Sequence, residues 1–181
     1  MEQQDKVKEV FLSATYEDQI DCIEEIKSSL AELGIKVQHF RGGDFQDGRA
    51  DINPDDKCIE KVEQVSNYML IISYRAGNDY KGANTNYNGL TVTHAEFRAA
   101  YDDYNRKKPD KKLFCFVRKK VADSYEIWRR QPDQKNSDGW PAEEKVYRLL
   151  EDIEKKQIWR EPFEHSLQLK EHIKSIIHHF I

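Results

Sequence analysis

Short apolar runs alternate along this chain with stretches in which apolar residues return every three or four positions. Val7 to Ala14, centred on Val10-Phe11-Leu12, ends in small polar residues and predicts a buried strand. Thr15 with the acids Glu17 and Asp18 marks a helix start, and Ile20, Ile23, Ile26, Leu30 and Leu33 form its apolar stripe up to the C-cap glycine Gly34. Ile35 to Phe40 predicts a second, partly exposed strand, and Arg41 to Asn53 a long polar loop. Asn53-Pro54-Asp55-Asp56 opens a second helix with a capping Asn, Pro at the first helical position and acids in the first turn; Ile59, Val62 and Val65 are its stripe.

Tyr68 to Ser73 is almost wholly apolar, as a strand covered on both faces should be. A Gly/Asn/Tyr-rich loop runs from Arg75 to Leu90, and a third helix starts near Thr93 with Phe97, Ala100, Tyr101 and Tyr104 on one side. Leu113 to Val117 predicts a fourth strand. Ser124 to Arg130 reads as a short helix, Gln131 to Gly139 as a polar loop and Pro141 to Ile153 as an amphipathic helix. Gln157-Ile158-Trp159 reads as an edge strand, and a last helix capped by Ser166 carries Leu169, Ile173, Ile176, Ile177 and Phe180. Alternating elements with doubly covered strands predict an α/β fold of flavodoxin-like kind: a parallel sheet of about five strands with helices on both faces. With no repeat or linker, residues 1–181 are expected to form a single domain, a core at about 7–119 and a C-terminal helical part at about 120–181.

Composition changes this picture little. Apolar residues are 38% and charged residues 34% of the chain, but the apolar ones cluster, which is what a core needs. The 29 basic and 33 acidic residues leave a net charge of -4 without a basic stripe, so a nucleic-acid partner is not expected. The string from Arg106 to Lys112 reads as a solvated loop. Cys22, Cys58 and Cys115 have no CxxC spacing and are odd in number, which predicts three reduced, mostly buried thiols and no metal site. The first residues lack the apolar stretch of a signal peptide and no apolar run is long enough to span a bilayer, so the expected location is cytoplasmic, without membrane contact.

In open parallel sheets, ligands bind beyond the carboxyl ends of the strands where strand order reverses. That rule selects Ser13 to Asp18, Phe40 to Asn53 and Ser73 to Glu96. GxGxxG, GxxxxGK[ST], HExxH and GxSxG are all absent, and Arg41-Gly42-Gly43-Asp44 is only a glycine pair in a turn, so a Rossmann dehydrogenase, P-loop NTPase, zincin or α/β-hydrolase is not expected.

Val10-Phe11-Leu12-Ser13-Ala14-Thr15-Tyr16-Glu17-Asp18 resembles the opening of TIR and TIR-like domains. Tyr68 to Arg75 resembles that family's central strand with its polar end, and Thr93-His94-Ala95-Glu96-Phe97-Arg98-Ala99-Ala100 the helix that follows. The chain is also similar to a domain family of unknown function whose members often precede STAND-type NTPase domains in bacterial conflict and signalling proteins. The resemblance spans Val7 to Lys119, and the tail from Trp159 to Phe180 fits it; the loop before the third helix is longer than usual in the family and holds Asn84, Asn86, Tyr87 and Asn88, a substrate lid or a plug.

Many TIR domains cleave the bond between nicotinamide and ribose in NAD. Nucleoside deoxyribosyltransferases, of related fold, also work on N-glycosidic bonds. Both resemblances imply a glutamate at the start of the helix after the central strand, where Glu96 stands. NAD is then a substrate and no cofactor is implied. A carboxylate there can stabilise an oxocarbenium ion, hold the sugar hydroxyls or attack the anomeric carbon. Arg75 suits a pyrophosphate, Ser13 and the backbone near Tyr16 suit phosphate or ribose, and Tyr16, Phe40 or Tyr74 suit stacking; Thr15, Arg41 and Ser73 are further candidate substrate-binding residues.

Plainer roles compete. Thr93-x-x-Glu96 is also a capping box. Arg75 can simply pair with a carboxylate, Ser13 and Thr15 can cap the first helix, and His94 reads as a surface residue of a first helical turn. Trp128, Trp140 and Trp159 read as packing residues. Three functions stay open: a TIR-like NAD glycohydrolase active in bacterial conflict or antiphage defence, a non-catalytic TIR-like assembly module, and a deoxyribosyltransferase-like enzyme. The resemblance implies a homo-oligomer or a STAND-type NTPase partner. An open pocket holding Glu96, Ser13 and Arg75 favours an enzyme; Glu96 bonded back to the Thr93 amide favours a scaffold.

Overall fold

The computed structural model describes residues 8–15, 17–40, 51–107, 110–131 and 139–176. Its elements follow the strand–helix alternation: β1 (Glu9–Ala14), α1 (Ile20–Ala31), β2 (Lys36–Gln38), α2 (Pro54–Gln64), β3 (Asn67–Ile72), α3 (Val92–Lys107), β4 (Lys112–Arg118), α4 (Lys119–Trp128), α5 (Glu144–Lys155), β5 (Glu161–Phe163) and α6 (Ser166–Ile176). The five strands are all parallel in the order β2-β1-β3-β4-β5, a flavodoxin-like α/β sheet. Strand order reverses at β1, so the crevice between the carboxyl ends of β1 and β3 is the switch point.

Period-two alternation sorts the strand residues to two cores. Phe11, Tyr68, Leu70, Ile72, Cys115 and Val117 face a cluster built with α2, α3, α4 and α5. Val10, Leu12, Met69, Ile71 and Phe116 face a smaller one built with α1 and α6. Every residue of β3 is buried, as its unbroken apolar run predicts. Cys22, Cys58 and Cys115 are free thiols and all are buried. No helix among the described residues is long and apolar enough to cross a membrane.

The helix ends show where local chemistry agrees with the sequence. Asn53 Oδ1 accepts the Asp55 amide at 2.9 Å and Pro54 is the first helical residue of α2. At the end of α1 the Ile35 amide donates to Leu30 O and the Gly34 amide to Ala31 O, both at 3.0 Å, with Gly34 at φ +70°. That pair of bonds is a Schellman motif, and its left-handed position is why a glycine stands there.

Five local expectations are corrected. Helix α1 begins at Ile20, not beside Thr15, because the Asp18 carboxylate is drawn away to other backbone groups. Ile20 and Leu33 are 49% and 51% exposed; the stripe runs through Cys22, Ile23, Ile26, Ser29 and Leu30, and Leu33 falls beyond the helix end. The edge strand is Glu161–Phe163 rather than 157–159: Gln157 adopts φ +56° and the Ile158 amide returns to Ile153 O at 3.2 Å, so both belong to the end of α5. Trp159 is 79% exposed instead of packed, while Trp128 is fully buried.

The described residues of the string 106–112 are not all a solvated loop. Arg106 and Lys107 end α3 and Lys112 opens β4. Lys111 between them is buried, its ammonium donating to Val62 O, to Val65 O at 3.0 Å and pairing with buried Asp103 at 3.0 Å. Burial pushes the Asp103 carboxyl up, but hydrogen bonds from Lys107 and Lys111 outweigh it and hold the group below its usual range.

Candidate active site

The β1, β2 and β3 ends converge on one cleft of about 260 Å³. Ala14, Thr15 and Glu17 line it after β1, His39 and Phe40 after β2, and Arg75, Gly77 and Asn78 after β3. Asp55 comes from the first turn of α2, Val92, Thr93 and Glu96 from the first turns of α3, and Glu143 from the residue before α5.

Glu96 sits at the floor, 5% exposed, and accepts a hydrogen bond of 2.5 Å from the hydroxyl of buried Ser13. Burial pushes the Glu96 carboxyl up to about 7; hydrogen bonds from Ser13 and the Cys58 thiol pull it down, and the Asp55 carboxylate pushes it up. Behind it Tyr68 is buried, its phenol raised by burial and by the charge of Glu96. Glu96 is not in a capping box. Thr91 caps α3: its hydroxyl accepts the His94 amide at 3.3 Å and its carbonyl the Ala95 amide at 2.9 Å.

Arg75 reaches the cleft from a short strap of backbone, residues 74–76, fixed from two sides. Asp18 Oδ2 accepts the Tyr74 amide at 2.9 Å and the Arg75 amide at 3.1 Å, while Asp18 Oδ1 accepts the Thr15 hydroxyl at 2.7 Å. From the opposite side the Glu143 carboxylate accepts the Ala76 amide at 2.9 Å, and the Glu143 amide donates to Tyr74 O at 2.9 Å. Arg75 Nε lies 3.5 Å from Glu17 and 3.6 Å from Glu143. Gly77 turns the chain at φ +79°; a Cβ there would stand 3.1 Å from Thr15 Cγ2, so a side chain would be both strained and crowded.

Of the residues singled out in the sequence, Ser13, Thr15, Phe40, Arg75 and Glu96 gather here. Thr15 caps no helix: it donates to Asp18 and accepts from buried Gln19 at 3.0 Å. Ser73 does not line the cleft; it is fully buried and its hydroxyl accepts from Arg118 Nε at 3.2 Å. Tyr16 and Arg41 lie outside the described residues. His94 is corrected from surface to buried, with Nε2 3.0 Å from Asp152, whose same oxygen accepts Arg98 Nε at 2.9 Å. That link ties α3 to α5.

None of Asn84, Asn86, Tyr87 and Asn88 in the long loop before α3 lines the cleft. Tyr80 bonds Asp56, Lys81 N donates to Asp55 at 2.7 Å and Ala83 N to Asp56 at 2.9 Å, which pins the loop to the first turn of α2. Asn84 caps a one-turn 3-10 helix at Thr85–Tyr87, and Tyr87 packs edge-on against Tyr80. Sequence reasoning missed His39, Asp55 and Glu143 as parts of the site, and placed Asp18 at its edge without the bonds it makes. Asp18 and Asp55 carried only the signal of first-turn acids, and Glu143 lies beyond the stretch that resembles a TIR core.

No curated protein sequence matches the chain. A family model described as Domain of unknown function (DUF4062) matches residues 9–178, which takes in all five strands, the six helices and the described lining of the cleft. The chain therefore belongs to the DUF4062 family.

Proposed function

We propose that the chain hydrolyses the N-glycosidic bond of an N-ribosyl compound, with Glu96 as the carboxylate at the anomeric carbon. One observation carries the reading: a buried carboxyl, oriented by Ser13 at 2.5 Å and held near neutrality, forms the floor of a cleft at the switch point of the sheet. A pKa near the working pH is what a group that must both release and take a proton needs.

In the proposed reaction the C1′–N bond breaks and its electron pair leaves with the base; a pyridinium ring departs as a neutral molecule. Positive charge develops on the ribosyl ring, and ionised Glu96 stabilises it in a site from which its burial excludes bulk water. A water oxygen then bonds C1′, and its proton passes to Glu96 and on to solvent. NAD is the substrate that the TIR resemblance names. The same resemblance supports a place in bacterial conflict systems, with a homo-oligomer or a STAND-type NTPase as partner.

Nicotinamide release from NAD and from simpler N-ribosides, followed by chromatography at high protein concentration, tests the reading. Wild-type protein is expected to release nicotinamide, and Glu96→Gln and Glu96→Ala to lose roughly 10²–10⁴-fold in rate. Because Glu96 acts ionised, the rate should rise with pH and level off above about 7. A rate unaffected by either substitution removes Glu96 from the chemistry. No release from any of these compounds, even under crowding that drives association, leaves the non-catalytic assembly module as the better reading.

A further inference from the structure

The charged groups that rim the cleft do not suit a phosphate. Among the described lining residues, Glu17, Asp55, Glu96 and Glu143 oppose a single guanidinium, Arg75. Arg75 itself lies between Glu17 and Glu143. Turning it to a phosphate would leave those two carboxylates uncompensated beside the same phosphate.

Five backbone donors beside the cleft are committed as well. A row of amides at a strand end is the usual anion cradle, but here the amides of Tyr74 and Arg75 are held by Asp18 and that of Ala76 by Glu143. At the start of α2 the Asp55 amide is capped by Asn53, and at the start of α3 the His94 amide by Thr91. Protein carboxylates and caps thus hold these five amides, which leaves them unavailable to a diphosphate. Size agrees with charge: about 260 Å³ is below the roughly 300–1,000 Å³ of pockets that enclose larger ligands. It suits one nucleoside, and the rest of a dinucleotide would lie against the acidic rim.

We propose that Glu17, Asp55 and Glu143 form a charge filter, so that the cleft takes N-ribosides carrying no phosphate in preference to mononucleotides and dinucleotides. The proposal rests on the N-glycosidic reading of Glu96 and narrows its substrate class. Glu143 has a double part, since one carboxylate both clamps the strap and charges the rim.

The test compares nicotinamide riboside, nicotinamide mononucleotide and NAD. Affinity is measured by calorimetry on Glu96→Gln protein and kcat/KM on wild type, each at low and at high salt. The riboside is expected to lead the mononucleotide by about tenfold at low salt, a like-charge penalty that shrinks as salt screens the rim. NAD should trail the riboside by a similar factor. The double variant Glu17→Gln/Glu143→Gln, in which the amide oxygen introduced by the second substitution still accepts from the Ala76 amide, should narrow the gap by improving the phosphorylated ligands. The filter is overturned if the mononucleotide or NAD matches the riboside at low salt, or if the double variant leaves the ratio unchanged. Riboside-selective binding without cleavage upholds the filter and sinks the hydrolase reading. Glu96-dependent cleavage of NAD ahead of the riboside does the reverse, and no binding of any of the three overturns both.

Discussion

Glu96 carries a stability signature independent of any substrate. The native carboxyl keeps its proton up to about pH 7, whereas an unfolded glutamate loses it near 4.5. Between those values the native state binds more protons, so stability falls as pH rises through the window and is flat above it. Glu96→Gln removes the ionisable group and keeps an acceptor for Ser13. The variant should be more stable than wild type at pH 8, by about 2–4 kcal/mol, and nearly equal to it at pH 4.5; denaturant titrations at the two pH values measure this. An equal gap at both would mean that Glu96 ionises freely in the fold. At this scale the sequence located Glu96, Ser13 and Arg75, because strand ends and helix starts can be read from short patterns. It could not show what those groups bond. Asp18 reaches residues 74 and 75, and Glu143 reaches residue 76, across separations that no local pattern encodes.

Among elements, the connection from α3 to β4 was the least legible. A basic string with a proline and an aspartate has the composition of a solvated loop, yet it delivers Lys111 to the end of α2. There the ammonium takes the last carbonyls of that helix, Val62 and Val65, and Asp103 from the last turns of α3. A cation at a helix C-terminus is favoured by the helix dipole, and burial strengthens the effect. Lys111→Met strands two carbonyls and takes one cation from buried Asp103, which keeps Lys107 at 2.9 Å, and should cost about 1–3 kcal/mol in urea unfolding. Adding Asp103→Leu should recover part of that loss, since it removes the buried carboxylate that the single variant leaves with fewer hydrogen-bond donors. A loss of less than about 1 kcal/mol for the single variant would show that Lys111 reaches water. Strand β5 was misplaced by a similar cause: Ile158 and Trp159 look strand-like alone, but the left-handed turn at Gln157 returns the Ile158 amide to the end of α5.

For the molecule as a whole, the parallel sheet was legible because a doubly covered strand such as β3 reads as apolar throughout, and alternation with helices forces crossovers. The boundary suggested near residue 119 has a different meaning in three dimensions. Val121, Tyr125, Trp128, Tyr147 and Leu150 belong to the same cluster as the strands β1, β3 and β4, while Phe163, Leu169 and Ile173 complete the other. A chain ending at residue 119 would expose the parts of both faces of the sheet that α4, α5 and α6 cover and lose the Glu143 clamp on the cleft. Such a fragment should show no cooperative thermal transition by circular dichroism, where the full chain shows one. A cooperative fragment would mean that the C-terminal part is an accessory to a self-sufficient core.

The three cysteines make the fold its own reporter of motion. Burial pushes the thiols of Cys22 and Cys115 up to about 11 and about 12, and that of Cys58 higher still, so none is a ready nucleophile while the chain stays folded. A chromogenic disulfide reagent can therefore modify them only when the surrounding structure opens. Cys22 times the release of α1 from the sheet, Cys115 the exposure of β4 and Cys58 the loosening of α2 behind Glu96. If a ligand seated on Glu96 slows the modification of Cys58 alone, thiol chemistry becomes an assay for cleft occupancy that needs no turnover.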